Sequence, residues 1–368
     1  MEIKEKIPVG ILGATGMVGQ RYIQLLEHHP WFEVTCVAAS PRSAGKTYAD
    51  AVTGRWVMDT PMPSTVAGLT VYDASDIASI SKQCRFVFSC LELDTKEEIQ
   101  ELEKNFAAVG LSVVSNASAH RWTLDVPMLI PEVNAHHLSI IPAQQKHYGW
   151  NKGFIVTKPN CSLQSYITPL FALMQAGYSI SKVVVTTLQA VSGAGYPGVA
   201  SIDIVDNVVP FIKGEEEKTE QEPMKILGSI ENEKFVPRSD MAISAQCTRV
   251  PVIDGHTACV SVQFGEKKPT LDEIRKIWHE FRGRPQELEL PSAPVQPIIY
   301  RDEDNRPQPR RDRNSEKGMA VTVGCLRKCS VFDYKFVGLS HNTIRGAAGG
   351  GILNAELLVA EGYIQLSY

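Results

Sequence analysis

Apolar positions along the chain follow two patterns, and the change falls near residue 156. Before it, short and almost unbroken apolar runs occupy residues 7–12 (IPVGIL), 33–39 (EVTCVAA), 85–90 (RFVFSC) and 111–115 (LSVVS). Helical spacing covers 21–29 and about 94–108. Continuous apolar strands are buried on both faces, and their alternation with helices predicts a parallel sheet with crossover connections. After residue 156 a loop opens a helix that ends near Gly177, and the strands become longer and more alternating. They are 182–190, 257–264, 319–326 and 331–338, with helical spacing left only at 201–212 and 270–281. That balance predicts a mixed or antiparallel sheet with helices on one face. Residues 341–361 are helical again and are expected to pack back onto the first unit. No internal repeat is visible. The fold class expected is α/β: a Rossmann-like domain over 1–157, completed by 341–368, and an α+β domain over 158–340.

Length and composition narrow the class. At 368 residues the chain has room for two or three domains. Its 43% hydrophobic and 21% charged residues exclude a disordered chain, a collagen-like repeat and a small disulfide scaffold. The net charge of −4 argues against nucleic acid or an anionic membrane as partner. No secretory signal precedes the first strand, and no apolar stretch approaches the roughly 18 residues of a membrane span. A cytoplasmic protein with eight free cysteines is expected. Cys325 and Cys329 lack a second ligand pair and a neighbouring histidine, so no metal site is expected. The charged stretches 214–221 and 301–318 read as solvated loops.

Candidate chemistry begins at the turn Gly13–Gly19, spaced G-x-x-G-x-x-G between the first strand and a helix. Glycines there let backbone N–H groups approach a pyrophosphate at the helix N-terminus. Gly13, Thr15, Gly16, Met17 and Val18 are the candidate cofactor contacts. The second strand then runs into Ser40, Arg42 and Ser43, with no acid before Asp50. Hydroxyls and an arginine suit a 2′-phosphate, so NADP is expected over NAD; a solvent-facing loop arginine is the alternative. Cys161 lies in PNCS at the start of the next helix, where a helix N-terminus would lower its pKa. It is either a nucleophile that forms a thiohemiacetal with an aldehyde or a structural cysteine beside a cap. His256, at the start of a strand and near Arg249, is the candidate acid or base. His28, His29, His136, His137 and His279 are expected in solvent, and His147 in a polar loop.

Taken in order, GATGMVGQR, SNASAHR, KPNCS, LQAVSGAGYPG, EPMKIL, CTRVPVIDGH and HNTIRGAAGG resemble the aspartate-semialdehyde dehydrogenase family. The branch they resemble is that of fungi and archaea, and the likeness spans nearly the whole chain. It implies a glyceraldehyde-3-phosphate-dehydrogenase-like fold, with an NADP-binding domain and a catalytic and dimerisation domain. It also implies Cys161 as acyl-enzyme nucleophile and His256 as acid/base. Arg249 would bind the substrate α-carboxylate, with Glu222, Gln189 and Asn160 beside it and Glu222 on the ammonium. Phosphate would sit on Arg121 and Lys225 with Asn116 nearby, and nicotinamide on Ser192, Gly193 and Asn342. The implied partners are a small substrate, inorganic phosphate and further copies of the chain, as homodimer or homotetramer. A related acyl reductase, such as one acting on malonyl-CoA, is the nearest alternative. N-acetyl-glutamyl-phosphate reductase differs at the nucleophile motif. A silent NADP-binding sensor is the remaining class.

Overall fold

The computed structural model describes residues 5–365. Residues 1–4 and 366–368, which the expected first domain includes, lie outside them. A six-stranded parallel sheet is built from β1 (Ile7–Leu12), β2 (Phe32–Ala39), β3 (Val71–Asp73), β4 (Phe86–Ser89), β5 (Ser112–Ser115) and β6 (Ile155–Thr157), in the order 3-2-1-4-5-6. That is the order of a doubly wound dinucleotide fold, with its crevice beyond the strand ends where the order reverses. Helices Met17–Leu26 and Lys96–Ala108 are crossovers; the second opens with a Thr95/Glu98 capping box.

The second sheet also has six strands, ordered β10-β7-β11-β14-β13-β12. They are β7 (Ile180–Gln189), β10 (Ala242–Arg249), β11 (His256–Phe264), β12 (Ile298–Arg301), β13 (Val321–Lys328) and β14 (Tyr334–Ser340). Its two outer pairs are parallel and the inner ones antiparallel, so the sheet is mixed. The short pair β8 (Ser229–Glu231) and β9 (Lys234–Val236) stands apart. Helices Ile167–Gln175 and Leu271–Glu280 cover one face; Trp278 is fully buried there and its indole N–H donates to Pro169 O at 2.9 Å.

Several expectations change. The helix expected over 201–212 is confined to Ser201–Ile204, and 141–148 forms a helix that carries His147, whose Nδ1 meets Asp125 Oδ2 at 2.6 Å. His29 and His137 are buried rather than solvated: His29 meets Glu356 at 2.7 Å, and His137 lies between Asn134 and the Gly228 carbonyl.

The acidic stretch 214–221 is no loop: it opens the helix Glu215–Ile226. Pro223 lies inside that helix and leaves the Thr219 carbonyl without its N–H partner. The Tyr166 hydroxyl donates to that carbonyl at 2.9 Å and so repairs the break. Glu216 and Glu220 accept the N–H groups of Cys247 and Ala245 on edge strand β10. Unpaired edge donors are thereby covered.

The charged stretch 301–318 is also more than a solvated loop. Arg306 clamps the buried Asp312. Arg313 donates to the Asp254 carbonyl at 3.1 Å, two residues before His256.

The last helix, Gly349–Ala360, is buried on all sides and joins the core of the first sheet. A π-turn, Ile344–Ala348, leads into it. There Arg345 pairs with Glu132 at 2.9 Å, with side chains 2% and 1% exposed. Removing one partner of such a pair strands a buried charge, so Glu132→Ala is expected to cost about 3–5 kcal/mol of stability, measurable by urea unfolding.

Candidate active site

Three strand ends and one loop converge. Gln189 closes β7, Arg249 closes β10 and His256 opens the antiparallel β11, so all three emerge at one edge of the mixed sheet. Cys161, in the loop after β6, faces them with its Sγ 3.3 Å from His256 Nε2. Gly346 of the π-turn backs Cys161 closely: a Cβ there would lie 2.8 Å from Cys161 Cβ.

The ring of His256 has a fixed orientation. The Ala190 backbone N–H donates to Nδ1 at 3.0 Å, so in the neutral imidazole the proton sits on Nε2 and points at the sulfur. Burial, with Arg249 second, pushes its pKa down to about 3. The neutral ring is therefore the resident form.

The expectation for the Cys161 pKa is reversed. Its thiol is raised above the ordinary value, chiefly by burial and then by Glu215, against the pull of Lys158, Arg121 and Arg249. The reason is local: Cys161 precedes only a four-residue 3-10 turn, Ser162–Ser165, and Tyr166 at φ −141° separates it from the helix. No long helix dipole points at the sulfur.

Arg249 is 6% exposed and uses one nitrogen, Nη1, to reach Ala190 O at 2.9 Å. The same nitrogen lies 3.5 Å from Gln189 Oε1, and among the described residues Nε and Nη2 have no hydrogen-bond partner. Gly193 lies over this pair, where a Cβ would meet Arg249 Nη1 at 2.7 Å and the His256 ring at 3.0 Å. Asn342 fixes the same loop, donating to Ser192 Oγ at 2.8 Å and accepting Gly255 N–H at 2.8 Å.

The expected phosphate residues are differently occupied. Arg121 donates to Lys158 O, Glu222 Oε1 and Asn116 O, leaving two of its five N–H groups. Lys225 gives all three donors to the carbonyls of Arg121, Thr123 and Val126. It fastens the loop that carries Arg121. Asn116 turns its amide to Tyr22 Oη at 2.6 Å, toward the first sheet.

Two residues that the sequence reading passed over also stand here. Lys158 is buried, donates to Pro159 O, and has its pKa pushed down to about 7 by burial and then by Arg121. Glu215 accepts Asn160 Nδ2 and Gln189 Nε2. The first was legible only as the lysine directly before PNCS; the second needed the acidic run to be read as a helix.

At the other crevice Gly13 has φ +77°, and a Cβ there would strike the Cys90 carbonyl at 2.3 Å. A Cβ on Gly19 would strike Gly13 O at 2.5 Å. Gly16 is the N-cap, with no side chain to satisfy the first-turn N–H groups near Met17 and Val18. Thr15 O accepts Gln20 Nε2. Ser40 and Arg42 are exposed beyond β2 and Ser43 is buried.

Comparison with known proteins gives two family models: semialdehyde dehydrogenase, NAD binding domain, over 8–141, and semialdehyde dehydrogenase, dimerisation domain, over 170–345. An aspartate-semialdehyde dehydrogenase of Cryptococcus neoformans is 47% identical, covering 99% of this chain and 100% of its own. One of Methanothermobacter thermautotrophicus is 48% identical over 96% of this chain and 99% of its own. The crystal structure of the Candida albicans enzyme with NADP superposes with a TM-score of 0.89 at 42% identity, covering 98% of this chain and 100% of that one.

Proposed function

The chain belongs to the aspartate-semialdehyde dehydrogenase family, and from that membership we propose that it works through a thioester on Cys161. Its activity is the NADPH-dependent conversion of 4-aspartyl phosphate to aspartate 4-semialdehyde and phosphate, in lysine, threonine and methionine synthesis. One observation carries the residue assignment: Cys161 Sγ and His256 Nε2 in contact, with the open guanidinium of Arg249 at the same sheet edge.

Arg249 holds the α-carboxylate by paired N–H bonds and so sets the reacting carbon against the sulfur. The Cys161 thiolate attacks the acyl phosphate; the C–S bond forms and the C–O bond to phosphate breaks. Arg121 is held in place by Glu222 and by the Lys225-fastened loop, and its two remaining N–H groups would receive the departing phosphate. His256 holds its Nε2 proton toward the oxygen that becomes anionic, and stabilises it without giving the proton up. Collapse of the hemithioacetal oxyanion expels the thiolate and frees the aldehyde.

The residues present fit a dinucleotide: Gly13 and Gly19 leave no room for a side chain, and Gly16 leaves the first-turn donors uncapped. Gly13, Thr15, Gly16, Met17 and Val18 would hold the pyrophosphate, and Ser40, Arg42 and Ser43 the 2′-phosphate. Ser192, Gly193 and Asn342 would bound the nicotinamide, and NADPH when bound supplies hydride at the thioester carbon.

A match to a dimerisation domain supports an oligomer of this chain, a homodimer or homotetramer. Exposed Tyr196, Ile202, Val205, Val208 and Phe211 are apolar side chains that a second copy would cover. Among the described residues no helix is long and apolar enough to cross a membrane. The eight free cysteines suit a reducing compartment, and we place the protein in the cytoplasm.

Purified protein given aspartate semialdehyde, phosphate and NADP+ is expected to develop the absorbance of NADPH, and to need phosphate for it. A flat trace, with malonyl-CoA reduced instead, would overturn the substrate.

A further inference from the structure

We propose that Glu103, on the helix Lys96–Ala108, is a positioning residue for the phosphate step: from beneath two strand ends it locks the loop that carries Arg121. This role rests on the function proposed above and adds to it the group that sets the loop. Glu103 is fully buried, although Glu97, Glu98 and Glu101 of the same helix are exposed. A lone buried acid on a surface helix needs a partner within the fold.

That partner stands at the ends of the parallel neighbours β4 and β5. They close on Ser89 and Ser115, which pair with each other and are buried with the acid. The Ser115 hydroxyl donates to Glu103 Oε1 at 2.6 Å and accepts the Ala117 N–H at 3.2 Å. One turn earlier on the helix, Gln100 Nε2 donates to the Ala119 carbonyl at 2.6 Å, and the Gln100 carbonyl accepts His120 Nε2 at 3.3 Å. One helix face thus grips the loop at Ser115, Ala119 and His120. The guanidinium of Arg121 is seated on the same loop, with Nη2 donating to the Asn116 carbonyl at 3.3 Å. Moving Ser115 therefore moves the carbonyl on which Arg121 rests.

The second oxygen shows how the lock works. Among the described residues Oε2 is buried with no hydrogen-bond partner; His120 Nε2 is 4.0 Å away and donates its proton to Gln100 O. The Ser89 hydroxyl beside the carboxyl is unpartnered too. A carboxylate here would be a buried charge with no cation on it. A neutral carboxyl instead has an O–H to donate, and Ser89 Oγ can accept it.

The surrounding groups supply no compensating charge. Burial pushes the Glu103 pKa up to about 7, against the pull of the Ser115 and Ser89 hydroxyls. From the loop, His120 is pushed down to about 4, chiefly by its own burial; Lys104, Asp125 and Lys225 also act on it. From the end of β4, the Cys90 thiol is pushed up by burial and stays neutral. The neutral acid keeps both oxygens bonded and the loop closed. Ionisation leaves a charge that draws donors out of the loop and loosens it.

The KM for phosphate in NADP+ reduction reads the lock, with the KM for NADP+ and kcat at saturating phosphate as controls. Glu103→Leu is expected to raise the phosphate KM about 10-fold and to move the two controls by less than about 2-fold. Glu103→Gln keeps an acceptor for Ser115 and a donor for Ser89 but cannot ionise, so at about pH 6 it should match wild type. At about pH 8.5 the phosphate KM of wild type should exceed that of Glu103→Gln about 3-fold. Phosphate titrates alike in both assays, so the ratio isolates the protein group. An unchanged phosphate KM in Glu103→Leu, an equal rise in the KM for NADP+, or the same pH course in wild type and Glu103→Gln overturns the inference.

Should Glu103→Leu fail to fold, Ser115→Ala takes its place with the same expected rise, and the pH comparison of wild type with Glu103→Gln still decides. Wild-type protein that reduces no NADP+ with aspartate semialdehyde overturns the functional reading as well; an active wild type with unmoved variants overturns this inference alone.

Discussion

Cys161→Ala is expected to lower turnover by about 10⁴-fold or more while the protein still folds and binds NADP. The size follows from its place in the chemistry. Without the sulfur there is no acyl-enzyme, and no other thiol can stand in. Cys247 is buried behind Thr219, and Cys90 lies under the glycine turn. The variant keeps the Cβ that packs against Gly346 and removes only the atom facing His256, so the stability cost is roughly 1 kcal/mol. Steady-state rates, NADP titration by fluorescence and a melting curve separate the outcomes. Intact mass of wild-type protein mixed with substrate should show the acyl adduct, absent from the variant. Residual turnover above about one hundredth of wild type would remove the covalent route.

The same residues show what a sequence can carry. The cofactor turn was legible because its glycines are demanded by backbone alone: φ at Gly13 and the approach of Gly19 to the Gly13 carbonyl tolerate no other side chain. The first sheet was legible because each of its central strands is buried on both faces and reads as an apolar run. Strand β10 was not, since an edge strand of mixed exposure, AISAQCTR, has no such signature. The helix Glu215–Ile226 was hidden twice over. Three successive glutamates suggest solvent, and Pro223 suggests a break.

Their true partners lie far along the chain: Glu216 and Glu220 on β10, Tyr166 on the orphaned carbonyl, and Glu215 in the site itself. The same limit applies to the thiol of Cys161. A cysteine before a helix is a local pattern, but its pKa is set by burial and by Glu215 and Lys158, which only the fold brings near. Family resemblance named Cys161, His256 and Arg249 together. It did not say that Lys225 would spend its donors on the loop of Arg121.

His256 is where geometry changes the chemistry most. His256→Ala is expected to cost about 10²–10³ in kcat, the usual worth of one donor to a developing oxyanion. His256→Gln, whose amide nitrogen can still donate, is expected to recover at least about 10-fold of that loss. A ring that worked as a base would make both variants equally poor. The distinction rests on Nδ1: it accepts the Ala190 N–H, so the neutral ring has no free lone pair at Nε2 with which to take a proton from the thiol.

The pH profile tests the same point. The His256 pKa is pushed down to about 3, so the neutral donor persists across pH 5–9 and should give no limb there. The Cys161 pKa is raised, so reactive thiolate is present above that pKa and lost as pH falls. NADP+ reduction should therefore rise through a single ionisation above the ordinary thiol range. Glu215 pushes that ionisation up, and Lys158, Arg121 and Arg249 pull it down. The limb should persist in His256→Gln, because it belongs to the sulfur. An acid limb near pH 6–7 that vanishes in this variant would return the ring to the role of base.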